Sequence, residues 1–152
     1  MSRKIKVEFL DLKIKFCATL LDEDEPELCD AFWKRLEAPL KMFCFHTLST
    51  GGRFLAQPRD AKHPQKWGSQ GAPIGNKKAN LCDLEPGTII YTGSRLEFAY
   101  GAITEPNVSG GSVIAIVNSE DLDDLVKAGQ AVWNAQYMTH RLVILEVRRE
   151  EK

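Results

Sequence analysis

The chain has 152 residues, 43% of them hydrophobic and 27% charged, with 20 basic against 21 acidic side chains. That length suits a single domain, residues 1–152, with a sizeable core, and the near-neutral balance lacks the basic excess of a nucleic-acid binder. No apolar run is long enough to cross a bilayer. The Met-Ser-Arg-Lys-Ile-Lys start has no apolar segment of signal-peptide length behind it, so the expectation is a cytoplasmic protein without membrane or nucleic-acid partners.

Ile5 to Leu10 and Lys13 to Leu21 read as strands, the second alternating Ile14, Phe16, Ala18 and Leu20 against Lys13, Lys15, Cys17 and Thr19. The acids Asp22 to Glu25 then open a helix. Pro26 fits its first turn, where a missing N–H costs nothing, and the negative charges complement the helix dipole. Leu28, Cys29, Phe32, Trp33 and Leu36 recur at helical spacing and form its apolar stripe. From Met42 to Gln57 two apolar runs flank Thr50-Gly51-Gly52, the pattern of a β-hairpin. Its first strand puts Phe43, Phe45 and Thr47 on one face and Cys44, His46 and Leu48 on the other. One of those faces is core, so either His46 or Thr47 looks at something other than plain hydrophobic interior. A functional histidine and a buried one satisfied by a backbone carbonyl both fit.

Pro58 to Ala79 is a long stretch with little periodicity, and loops of that length are functional or mobile. Its five cations (Arg59, Lys62, Lys66, Lys77, Lys78) suit an anionic small molecule or, equally, a solvated loop. Glu85-Pro86-Gly87 turns the chain into a strand from Thr88 to Thr92, and Gly93-Ser94 into another from Leu96 to Tyr100. Gly101 to Ser112 reads as a surface loop. Val113 to Val117 is a short apolar strand of the kind buried on both faces. Ser119 caps a helix through Ala128, with Gly129 at the stop, and the last strand runs from Arg141 to Val147.

Seven or eight short strands and two helices predict a mainly β fold, a closed antiparallel β-barrel of about eight strands with a helix at each end. Basic runs at the two termini read as solvated ends. The four cysteines read as small buried hydrophobes. The three histidines lie far apart, and neither a metal-ligand spacing nor a phosphate-binding glycine motif occurs, so no metal and no cofactor is expected.

Asp24-Glu25-Pro26 opens the first helix, Phe45-His46-Thr47 stands where cyclophilins carry Phe-His-Arg, and Pro106-Asn107 precedes Gly110-Gly111-Ser112-Val113. In this order of motifs the chain resembles cyclophilins. The resemblance implies their barrel without their prolyl isomerase activity, since Thr47 lacks the charge and fork of the arginine and Val113 replaces the turn glutamine. The chain more closely resembles bacterial cyclophilin-like proteins related to cucumopine synthase. That likeness rests on Cys29-Asp30-Ala31-Phe32-Trp33, His46 with Thr50-Gly51, Ala79-Asn80 before Pro86-Gly87, Tyr91, Tyr100-Gly101, and Gly129 with Trp133.

Cucumopine synthase joins histidine to a 2-oxo acid through an imine that then closes a ring. The resemblance therefore implies a small amino or 2-oxo acid as substrate, bound in a barrel-mouth pocket without cofactor. His46 would act there as acid/base beside Tyr100. Asn80, Tyr100 and Ser112 would position polar groups, Arg53, Arg59 or Lys66 would anchor the carboxylate, and Phe45, Phe98 and Thr47 would line the ligand. Leu48 and Ser112-Val113 depart from the family's arginine and Asn-His pair, which implies a different substrate or an altered site. A non-catalytic ligand-binding or assembly module on the same barrel is the competing expectation, and pairing of exposed edges would make a homo-oligomer.

Overall fold

The computed structural model describes residues 2–59 and 68–151. Eight strands, β1 (Lys4–Phe9), β2 (Ile14–Leu20), β3 (Leu40–His46), β4 (Gly51–Pro58), β5 (Thr88–Tyr91), β6 (Leu96–Ile103), β7 (Ser112–Val117) and β8 (Val143–Arg149), close into a barrel. Every pairing is antiparallel, in the order β1-β2-β7-β5-β6-β4-β3-β8. Helix α1 (Pro26–Arg35) packs at one end, where Phe32 meets Tyr91, and α2 (Leu122–Asn134) at the other, against the ends of β2, β3, β4 and β6. The barrel with its two helices is the predicted one, and it fits the cyclophilin-like architecture coarsely.

Period-2 alternation builds the core. Ile5, Val7 and Phe9 of β1, Phe16, Ala18 and Leu20 of β2, and Val143, Leu145 and Val147 of β8 all point inward and are buried. Phe54 of β4 stacks on Phe98 of β6 with centroids 4.7 Å apart and planes at 13°, and Phe16 meets Phe98 edge-on at 6.0 Å. Each such pair adds about 0.5–1.5 kcal/mol beyond the area it buries. Outside the barrel a smaller cluster of Leu81, Ile90, Ala99, Ile103 and Val113 is packed under Leu84. Segment 68–84 thus lies over β5, β6 and β7 as a second layer.

Several expectations are corrected. Strand β6 continues to Ile103, because Ile103 pairs with Gly51 of β4, so the connecting loop starts later than Gly101. Ile116 of β7 is 41% exposed, so that strand is covered on one face only at this position. The terminal basic residues are tied down. Arg3 pairs with Asp22 and Asp30, Arg148 with Glu8 and Glu146, and Arg149 donates to the Trp33 carbonyl while lying 4.7 Å over its ring. Burial opposes ionisation of Asp22, but the Arg3 hydrogen bonds outweigh it and hold the carboxyl below its ordinary value. Cys29 and Cys44 are buried, and burial pushes the Cys29 thiol up to about 12, whereas Cys82 is exposed. Of the cationic loop, Lys62, His63, Lys66 and Trp67 lie outside the described residues.

The largest difference concerns Gly129, which does not stop the second helix. That helix runs through it to Asn134, continues as a π-helical turn over Ala135–Thr139, and ends where His140 takes a left-handed conformation (φ 57°). Glycine is required inside the helix because a Cβ there would sit 2.3 Å from the Tyr100 ring. A mid-helix Gly→Ala exchange gains about 1 kcal/mol of propensity, so the sign of Gly129→Ala is diagnostic. We expect net destabilisation of about 1–3 kcal/mol from overpacking, measured by denaturant unfolding. A stabilised variant would show that the ring does not press on the helix.

Candidate functional site

The open surface of the barrel carries a cleft of about 590 Å³ on the outward face of β4 and β6. Outward alternation on β4 and β6 places Arg53 opposite Ala99 and Glu97 opposite Leu55, so Arg53 and Glu97 are diagonal neighbours across the pair. Glu97 is only 3% exposed although it faces away from the core. Its Oε1 accepts from Arg53 Nε (3.1 Å) and Nη2 (2.5 Å), and its Oε2 accepts from the Ser109 hydroxyl (2.9 Å). Arg53 Nη1 also lies 3.5 Å from Glu105. Arg95 holds its Nε 3.9 Å from Glu97 Oε2 and is 41% exposed at the side chain. Gly68–Gly71, Thr92 and Gly110 complete the walls around this charged floor.

A second polar cluster lies inside the barrel under α2. Met42, Cys44 and His46 are the inward face of β3, which settles the hairpin alternation in favour of His46 rather than Thr47. The imidazole Nδ1 is 2.8 Å from the Thr47 carbonyl and Nε2 is 2.5 Å from the Tyr100 hydroxyl. A carbonyl only accepts, so Nδ1 carries the proton and Nε2 accepts from the phenol. The backbone of His46 is engaged too: its N–H donates to Gln136 Oε1 (2.5 Å) and its carbonyl accepts from the Tyr137 hydroxyl (3.2 Å). Burial raises the Tyr100 phenol above its ordinary value.

Of the residues expected at a site, the structure brings His46 and Tyr100 into contact and sends Arg53 to the opposite face of the sheet. Phe98 is wholly buried core. Ser112 is buried and donates to the Ile74 carbonyl at 2.8 Å. Thr47 donates its hydroxyl to the Arg53 carbonyl at 3.2 Å. Phe45 is half-buried on the outside beside Phe43. Arg59 is exposed at the end of β4, and the exposed Asn80 bridges Val108 through its backbone. Glu97, Arg95 and Ser109 are the site residues that sequence reasoning missed. The available signal was a charged residue inside the apolar run Leu96-Glu97-Phe98-Ala99-Tyr100, two strands from an arginine of the same parity.

No family model matches the chain, and no curated protein matches it. Among solved structures, that of McbB in complex with tryptophan superposes with a TM-score of 0.81 and 26% identity, over 97% of this chain and 45% of that one. The chain therefore spans about half the length of McbB.

Burial disfavours the imidazolium form and outweighs the Thr47 carbonyl, so His46 titrates below its ordinary value. Above about pH 6.5 the folded and unfolded forms are both neutral. Below it the unfolded chain binds a proton that the folded chain does not, so stability falls as the pH drops toward the folded pKa. Urea unfolding of the parent and of His46→Gln from about pH 7 to 5 should show a shallower decline in the variant. Identical slopes would contradict this linkage.

Proposed function

We propose that the chain binds small amino or 2-oxo acids in the cleft over Glu97 and condenses them there, with Glu97 as acid/base. The observation that carries the proposal is the nearly solvent-free Glu97 carboxylate on the outward face, fixed by Arg53 and Ser109 at the floor of an open cleft. Burying a carboxylate costs several kcal/mol unless partners repay it, and an outward strand position has no structural need for one. Arg53 spends its fork on Glu97 and Glu105, so it positions the carboxylate. Arg95, more exposed, is left to take a substrate carboxylate.

An α-amino acid complements this pair, with its carboxylate on Arg95 and its ammonium on Glu97. The ammonium passes a proton to Glu97, and the free amine then adds to the carbonyl carbon of a 2-oxo acid. The carbinolamine takes that proton back on its hydroxyl and loses water, leaving an iminium and a regenerated carboxylate. Ring closure of the cucumopine synthase kind would follow from such an iminium. The likeness to McbB, whose structure holds tryptophan, supports an amino acid as one substrate.

A second reading, favoured by the 2.5 Å contact of His46 with Tyr100, gives the acid/base role to His46 in the barrel interior. Incubating L-tryptophan or L-histidine with 2-oxoglutarate and following product by mass spectrometry separates the two. Glu97→Gln should lower turnover roughly a hundred- to ten-thousand-fold, with His46→Ala retaining most of it. The reverse pattern would support His46, and binding without product in the parent would support a non-catalytic ligand-binding module.

A further inference from the structure

The acidic start of α1 contains a buried carboxylate that does not serve the helix. Glu25 is the N-cap residue and 1% exposed, yet its side chain makes no capping hydrogen bond. Both oxygens accept instead from the backbone of a segment about fifty residues on. The Asn76 N–H lies 2.8 Å from Oε1 and 2.6 Å from Oε2, and the Lys77 N–H lies 2.6 Å from Oε2. Two successive backbone N–H groups converging on one anion form a concavity of the kind that binds free anions; here the anion is built into the chain.

The same segment forms one wall of the cleft. Gly68 N–H donates to the Thr92 carbonyl, Ile74 N–H to the Gly110 carbonyl, and Val113 N–H to the Lys77 carbonyl. Residues 68–71 line the cleft beside Ser109 and Gly110. Gly75 crosses close over β7 with φ +93°, where a Cβ would meet Ser112 Oγ at 2.3 Å and Leu28 Cδ1 at 2.7 Å. Neighbouring Asp24 also reaches this segment, by a 3.3 Å pair with Lys77 Nζ, but both of its partners are about half exposed. An exposed pair of that kind contributes little.

We infer that Glu25 is a positioning residue for the cleft: its buried carboxylate pins segment 68–77 against β7 and so sets the wall facing Glu97. The inference rests on the proposed binding role of the cleft. A glutamine at this position keeps the size but turns an N–H₂ toward one of the two backbone donors, so the clamp opens while the helix start is unchanged.

Hydrogen exchange reads the clamp without any ligand. In Glu25→Gln the amides of Gly68, Ile74 and Lys77 should exchange at least tenfold faster, with those of β1, β2 and β8 unchanged. Acceleration confined to Asn76 and Lys77 would overturn the inference. Titration with L-tryptophan reads the consequence. Its Kd should rise at least tenfold in Glu25→Gln and in Gly75→Ala, which displaces the segment without touching the carboxylate, and should stay at the parent value in Asp24→Asn. Faster exchange with an unchanged Kd would also overturn it. If the parent itself bound no L-tryptophan, the reading of the cleft would lose its support, and exchange would decide the clamp by itself.

Discussion

The register between β4 and β6 is the constraint on which the rest of this structure depends. With Phe54 and Phe98 stacked inward, alternation leaves Arg53 and Glu97 no direction but outward, diagonal to one another across the strand pair. A slip of either strand by one residue would carry its charge into the core and its ring into water. The aromatic stack and the ion pair therefore specify one another, and the floor of the cleft inherits its geometry from the packing of the barrel, while segment 68–77 supplies a wall.

Two polar groups then organise the ends of the barrel around that sheet. At one end the His46 ring and backbone hold Tyr100, Gln136 and Tyr137, which seats the tail of α2 on β3 and β6. Gly129 removes the one side chain that would keep the Tyr100 ring from this position. At the other end Glu25 joins the start of α1 to the outer segment that walls the cleft. Both groups are buried, both are fully partnered, and both act between elements distant in sequence. Such networks specify a single arrangement because any half-satisfied alternative is expensive.

How much of this was legible in the sequence follows from range. Alternation and turn chemistry are local, so the hairpin around Thr50-Gly51-Gly52, the inward faces of β1, β2 and β8, and the start of α1 at Pro26 are readable from neighbouring residues. The pairing of His46 with Tyr100 and of Arg53 with Glu97 is not, because each joins residues 54 or 44 positions apart. Gly129 was misread for the same reason: glycine at the end of an apolar stripe is a stop signal locally, and only the distant Tyr100 ring makes it an interior residue. Glu25 carried a correct local meaning, a helix start, and a second meaning that needed Asn76 and Lys77 beside it.

The proposed binding position lies over Glu97 on the outer face and not beside His46 within the barrel. An amide-detected NMR titration of the parent with L-tryptophan tests it most directly. Shifts concentrated at Arg95, Glu97, Ser109 and Gly110 are expected, with the amides of His46 and of the last turn of α2 unmoved. Shifts centred on His46, Tyr100 and Gln136, or none in the cleft, would contradict it.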